Sequence, residues 1–263
     1  MGFVFQDCLW DIVISKAFIQ EQGNGRLREE EQRVVEELKY RGIPITFYTE
    51  KRIRRRQLVL DSESLVVGDM PCIVGALQQL SIPEPEPNDY PVSLHEFLHR
   101  RVWRSTLREL ELGLRDSHYP AVFVKPATRR KRFTGCVLES EYDLSRVYGV
   151  SRQEKVWCSE VVTWLSEHRI YVVHSEIKGV DHYAGNAEVS VDLEEVRRAI
   201  QALDQSGESY AGYAIDFGVL DSGQTALVEM NDGFAIGAYS IDSKNYTDMI
   251  WARWEELLAQ REG

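Results

Sequence analysis

Apolar positions in the first third of the chain switch between two periods. In "EEEQRVVEELKYRG", Val34, Val35 and Leu38 recur at helical spacing and Gly42 supplies a stop, which predicts an amphipathic helix. "IPITFYT" behind it is β-branched and aromatic and predicts a strand; "SLVVGD" and "MPCIVGALQQL" repeat the pair as a short strand and a helix. Strands alternating with helices predict a small open α/β layer over residues 1–81. The spaced prolines of "IPEPEPNDYP" favour extended backbone, so residues 82–92 read as a linker.

Residues 93–263 carry a mixed pattern. A helix is expected from Ser93 to Leu112, with Leu94, Leu98, Val102 and Leu110 as its core stripe. Ser93 and Glu96 stand in capping-box spacing, with Val92 and Phe97 at the staple positions. The strand "AVFVKPA" follows, then a mixed segment, then the strands "VWCSEVVTW" and "HRIYVVHSEI". "DLEEVRRAIQAL" is a helix opening on Asp192 and Glu195 in capping-box spacing. "AGYAIDFGVL" and "TALVEMND" are strands flanking the turn "DSGQ", and the periodic "YTDMIWARWEELL" closes the chain with Trp251 and Trp254 toward the core. The fold class is α/β of the α+β kind.

Composition narrows the partners. The 263 residues are 43% hydrophobic, enough to fill a substantial core, and the formal charge of −11 argues against a surface built for nucleic acid. Cys8, Cys72, Cys136 and Cys158 form no Cys-x-x-Cys pair and read as reduced, mostly buried thiols. Asp7 and Asp11 interrupt the first apolar stretch, Gln6 does not fit a myristoylation pattern, and no apolar run is long enough for a bilayer. A cytoplasmic protein without membrane contact is expected, with self-association left open. "HEFLH" matches His-Glu-x-x-His through His95 and His99, but Glu96 is assigned to the helix cap and no third zinc ligand follows. The basic run "EKRIRRRQL" is read as a solvated loop or edge, with an anionic partner such as a nucleic acid or protein tail as the alternative, and His174 and His182 as structural or solvated.

Candidate chemistry lies in "YAIDFGVLDSGQTALVEMND". Centring the turn on Ser222-Gly223 pairs Asp221 with Gln224 and, counting back, Asp216 with Glu229; Asn231 joins their face by alternation. Tyr213, Ile215, Phe217, Val228 and Met230 then form the opposite, apolar face. Opposed carboxylates repel unless a positive group lies between them, and two carboxylates with an amide suit a hard cation such as Mg²⁺. A solvated acidic edge is the alternative. Lys125 ends an apolar strand before a basic loop holding Arg129, Arg130, Lys131, Arg132 and Gly135, a pattern that can hold polyphosphate or stand exposed. Gly233 and Gly237 in "GFAIGAY" allow close backbone approach to a ligand.

Taken in order, these pieces resemble the ATP-grasp superfamily over residues 94–258, closest to a poorly characterised clade with arginine in place of an upstream lysine. The resemblance implies an ATP-grasp fold with a preceding α/β domain, and ATP and Mg²⁺ as cofactors. Lys125, Arg132 and Gly135 would attend the phosphates, and Glu160, Val161 and Val162 of "SEVV" would form the adenine hinge. Glu167 of "EHRIYVV" would meet the ribose and Arg169 the phosphate or substrate, while Asp216, Glu229 and Asn231 would bind Mg²⁺. Arg101 or Arg104 would replace the lysine. The implied activity is Mg-ATP-dependent joining of a small-molecule or peptide carboxylate to an amine or other nucleophile through an acyl phosphate, with Lys125 and Arg169 as catalytic residues. A kinase on the same fold and a non-catalytic nucleotide-binding module are the alternatives.

Overall fold

The computed structural model describes residues 13–116, 120–128 and 132–260. Cys8, Arg129, Arg130 and Lys131 lie outside the described residues. The chain divides into two compact units: one takes in residues through Glu84, 210–212 and 233 onward, the other Pro85–Ser209 and Tyr213–Asp232.

The first unit begins with β1 (Lys16–Gln20), α1 (Glu29–Tyr40), β2 (Ile45–Tyr48), α2 (Glu50–Arg54), β3 (Ser64–Val67) and α3 (Met70–Leu80). Its parallel sheet has the order β2-β1-β3. Every residue of β3 is buried, as an apolar run without alternation requires when both faces are covered. Val34, Val35 and Leu38 are the buried face of α1, and Gly42 (φ 71°) turns the chain beyond it. Asp69 caps α3 by accepting the Cys72 N–H at 3.2 Å. The basic run expected as a loop is instead helical: Arg54 reaches back to Glu50 at 2.5 Å, and only Ile53 of α2 is buried.

The second unit contains β4 (Val102–Thr106), α4 (Leu107–Leu114), β5 (Val122–Pro126), β6 (Cys136–Leu138), β7 (Lys155–Glu160), β8 (Trp164–Val173), β9 (Glu176–Gly185), α5 (Leu193–Ser206), β10 (Gly212–Leu220) and β11 (Thr225–Asp232). Its sheets run β4-β7-β5-β6 and β11-β10-β8-β9. The single helix expected over residues 93–112 is three elements: a 3₁₀ turn at Val92–Phe97, then β4, then α4. His99 sits in left-handed backbone (φ 46°) and breaks the helix, so His95 and His99 share no helical face. The capping box exists, but between Thr106 and Glu109: the Glu109 N–H donates to Thr106 Oγ1 at 3.2 Å, and the Thr106 N–H donates to Glu109 Oε2 at 2.9 Å. Glu208 takes the task assigned to Glu96, accepting the N–H groups of Val92 and Ser93 at 3.2 and 2.9 Å. Asp192 does cap α5, accepting the Glu194 N–H at 2.9 Å, whereas Glu195 pairs with Arg198 rather than closing a box.

The strand expected through "HRIYVVHSEI" stops at Val173 and reverses over His174 and Ser175, both at positive φ (47° and 65°). That is the conformation of a two-residue hairpin turn, formed here without glycine or asparagine.

The closing helix α6 (Ser243–Ala259) belongs to the first unit, whereas the sequence reading grouped it with residues 93–263. Trp254 is buried and donates its indole N–H to the Ser64 carbonyl at 2.6 Å, while Arg41 joins Asp248 at 2.5 Å. Gly233 serves the packing of this unit: a Cβ there would lie 2.2 Å from the Gly212 carbonyl oxygen, and one on Gly212 would lie 2.1 Å from that of Met249. The close approach expected to a ligand is thus backbone against backbone. Gly233→Ala should lower stability by about 2 kcal/mol through overpacking, seen as a lower urea midpoint at unchanged slope; an unchanged midpoint would contradict it.

Candidate functional site

The two sheets of the second unit each keep one face for their own core. In the β4-β7-β5-β6 sheet, register aligns Arg104, Trp157 and Lys125 on one rung and Val102, Ser159, Phe123 and Val137 on the next. Alternation sends Val124 and Cys158 to the other face, where they pack with Leu107, Leu110 and Leu114 of α4. In the second sheet, Asp216 faces Glu229 and Ala214 faces Asn231 across β10 and β11. A cavity of about 330 Å³ lies between the sheets, with Phe123, Lys125 and Ser159 from one and Glu167, Val228 and Glu229 from the other. The connection between β7 and β8 supplies Val161 and Val162 to its wall, and β8 adds its first residue, Trp164.

Opposite charges meet at short range in the cleft. Lys125 Nζ lies 2.5 Å from Glu229 Oε2 and 2.8 Å from Asp89 Oδ2, with the Tyr90 ring centroid 4.5 Å away. Arg169 grips Asp216 bidentately, Nε donating to Oδ1 at 2.9 Å and a terminal nitrogen to Oδ2 at 2.7 Å. Asn231 Nδ2 donates to the other oxygen of Glu229, Oε1, at 3.2 Å. Burial alone would push Lys125 down, but the carboxylates of Glu229 and Asp89, with Tyr90 beside them, outweigh it and hold it above the usual lysine range. Burial likewise works to raise Glu229, yet Lys125 keeps that carboxyl below its ordinary value. Asp216 goes the other way: burial pushes its carboxyl up to about 6 against the pull of Arg169. The Tyr183 hydroxyl donates to Glu167 at 2.9 Å and orients that carboxylate.

The donor set fits a hard divalent ion. Two carboxylates and an amide on neighbouring rungs offer oxygen ligands, and Lys125 and Arg169 lie against them where positive charge is needed. No group of three or more His, Cys, Asp or Glu could hold a metal among the described residues, so an ion here would draw on the Asn231 amide and on oxygens from outside the protein.

Most of the expected residues meet. Lys125, Glu160, Val161, Val162, Glu167 and Glu229 line the cavity; Arg169, Asp216 and Asn231 join it through the contacts above. Gly135 lies over the same face, where a Cβ would come within 2.7 Å of the Phe123 ring. Arg132 does not meet them: it turns to Glu154 at 3.9 Å. Arg101 stacks over Trp103 at 4.7 Å and Arg104 over Trp157 at 4.5 Å, and neither lines the cavity. The arginine that does is Arg100. It donates to the carbonyls of Leu98, Leu227 and Val228 at 3.1, 2.5 and 3.2 Å and to Ser159 Oγ at 3.2 Å, with Trp164 beneath its guanidinium.

Asp89 and Tyr90 belong to the site too, although their stretch reads as a linker in the sequence. The Met230 N–H donates to the Asp89 carbonyl at 2.9 Å and fixes that stretch against β11, while Tyr90 packs edge-on to Trp157. Aspartate-tyrosine between prolines is the available sign, since a solvated linker has no use for a tyrosine.

A family model described as an ATP-grasp domain, family 2 of its clade, matches residues 97–249. No curated protein matches the sequence. Among solved structures, the RimK domain protein ATP-grasp from Sphaerobacter thermophilus has a TM-score of 0.53 at 14% identity, covering 91% of this chain and 98% of that one. D-alanine–D-alanine ligase from Bacillus anthracis, complexed with ATP, gives 0.51 at 14% identity, with 94% and 95% covered. Macrocyclase MdnC from Microcystis aeruginosa, bound with precursor peptide MdnA, gives 0.50 at 12%, with 85% and 92% covered. At such identities the likeness is one of fold. The family match spans more than half of the chain and includes Arg100, Lys125, Glu167, Arg169, Asp216 and Glu229. The protein belongs to this ATP-grasp domain family.

Proposed function

We propose that the chain is a Mg²⁺-ATP-dependent ligase that joins a carboxylate to an amine through an acyl phosphate. The observation that carries this reading is the convergence of two cations, Lys125 and Arg169, with Asp216, Glu229 and Asn231 in one cleft between two sheets. Attack of a carboxylate oxygen on a γ-phosphoryl group brings anions together, and groups already in place must meet that charge. Phosphate oxygens would replace Glu229 and Asp89 around Lys125, and Asp216 around Arg169. The oxygens of Asp216, Glu229 and Asn231 would then be released to hold Mg²⁺. A divalent ion held by Asp216, Glu229 and Asn231 would supply charge neutralisation for the phosphates. Val137, Val161 and Val162 would give a planar base an apolar wall, and Glu167, oriented by Tyr183, would accept from ribose hydroxyls.

In the first step the bond between the γ-phosphorus and the β-bridging oxygen breaks as the carboxylate oxygen bonds to phosphorus, and ADP leaves. The amine would then attack the acyl carbon and the carbon–oxygen bond to phosphate would break, the proton lost by the amine leaving on the phosphate, while Arg169 would stabilise the tetrahedral oxyanion. ADP release that requires both a carboxylate and an amine, with the amide identified by mass spectrometry, supports the ligase. A stable phosphorylated hydroxyl product would make the protein a kinase, and Mg-ATP binding without turnover across a broad screen would make it a binding module.

Glu229→Gln should lower substrate-dependent ADP release at least about 100-fold with an unchanged circular dichroism spectrum; undiminished release would reject the metal assignment. Asp89→Asn removes a competitor for Lys125 without touching the oxygen donors. It should tighten ATP binding about fivefold, roughly 1 kcal/mol, by calorimetry, and weaker binding would contradict the competition.

A further inference from the structure

Helix α4 carries two stripes. Leu107, Leu110 and Leu114 face the core of the β4-β7-β5-β6 sheet, on the side away from the cleft. Arg108, Glu111, Leu112 and Arg115 fall at i, i+3, i+4 and i+7 and form the outer stripe. Two adjoining hollows open there. One, of about 260 Å³, is lined by Arg108, Arg115 and Arg152 around Glu111. The other, of about 370 Å³, is walled by Leu107, Leu144, Val147, Tyr148 and Val150 and shares Glu111 and Arg152 with the first.

Glu111 holds both flanking arginines, Arg115 at 2.9 Å and Arg152 at 3.1 Å, while their side chains stay 57% and 73% exposed. Two guanidinium groups are therefore fixed side by side with donors left over, the arrangement that suits carboxylates. Arg108 adds a third charge with no ion-pair partner among the described residues. Arg108, Arg115 and Arg152 stand against Glu111, with Glu141 4.0 Å from Arg115, which leaves a positive excess on a chain of formal charge −11. The rim is apolar as well as basic: Tyr148 is 93% exposed and Leu112 57%.

We propose that this surface docks an acidic peptide segment of a partner protein, its carboxylates on Arg108, Arg115 and Arg152 and an apolar side chain in the hollow beside Tyr148. Charge complementarity selects the acidic partner, and the aliphatic hollow joined to the arginines selects a peptide. A sugar-phosphate backbone has nothing to place against Leu144, Val147 and Val150. The net negative charge of the chain also repels a long polyanion, whereas a short segment responds to the field within about 8 Å.

The test is fluorescence anisotropy with a labelled synthetic peptide of about nine aspartates and glutamates around a central leucine pair. A control peptide has the leucines replaced by serine, and a single-stranded oligonucleotide of equal charge serves as the second control. The leucine peptide should bind more tightly than either control and weaken as salt rises. Its affinity should fall at least tenfold in the double variant Arg108→Glu/Arg152→Glu and about threefold in Tyr148→Ala, whose exposed side chain can be removed without disturbing the core. No binding at millimolar peptide, equal affinity for the wild type and a folded variant, or preference for the oligonucleotide would overturn the proposal.

Discussion

A buried lysine needs anionic partners, and the arrangement of the cleft follows from how Lys125 obtains them. Removing an ammonium group from water costs several kcal/mol, and it is tolerable only where partners sit at hydrogen-bonding distance. Lys125 stands at the end of β5 between Glu229 of β11 and Asp89 of the segment before β4, so three separate stretches of chain meet at one nitrogen. Arg169 and Asp216 repeat the arrangement on the rung that Asp216 shares with Glu229. Deleting either member of the Arg169–Asp216 pair leaves a buried charge unmatched, at about 3–5 kcal/mol. The cleft thus joins Lys125 and Arg169 to the carboxylates of Asp89, Glu229 and Asp216.

The hairpin meets this requirement through an irregularity. Near the turn Val219 pairs with Thr225, Gly218 with Ala226 and Phe217 with Leu227, but Asp216 pairs with Glu229, so Val228 is an extra residue bulged out of the ladder. The bulge turns Val228 from the core face into the cavity wall and puts Leu227 opposite Phe217 in its place. It also leaves the carbonyls of Leu227 and Val228 for Arg100, which links the two sheets beneath the cavity floor.

That bulge also explains how the central pair could be found from sequence. Counting from a turn centred on Ser222-Gly223 misplaces the pairing near the turn by one residue, and the bulge restores the lost residue before Asp216. Two offsets cancel, and Asp216 opposite Glu229 emerges from a wrong count. In the first unit α1, β2, β3 and α3 were legible because their apolar positions recur at helical spacing or run together, as in α1 and β3, whereas β1 and α2 were not. Elements that depend on distant partners were not. Nothing local shows that His99 turns left-handed, that His174 and Ser175 form a hairpin turn without glycine, or that α6 packs on β3. Among Arg100, Arg101 and Arg104, only tertiary contacts select the first, since each is an arginine near the start of β4.

The central claim is that the cations and carboxylates of the cleft occupy one another until nucleotide and metal arrive together. Isothermal titration of ATP without and with Mg²⁺, paired with titration of Mg²⁺ without nucleotide, tests it directly. The account predicts weak binding of either alone and at least about 100-fold tighter binding of ATP in the presence of Mg²⁺, a coupling near 2.7 kcal/mol. Tight Mg²⁺ binding by the nucleotide-free protein, or ATP affinity indifferent to the metal, would contradict it.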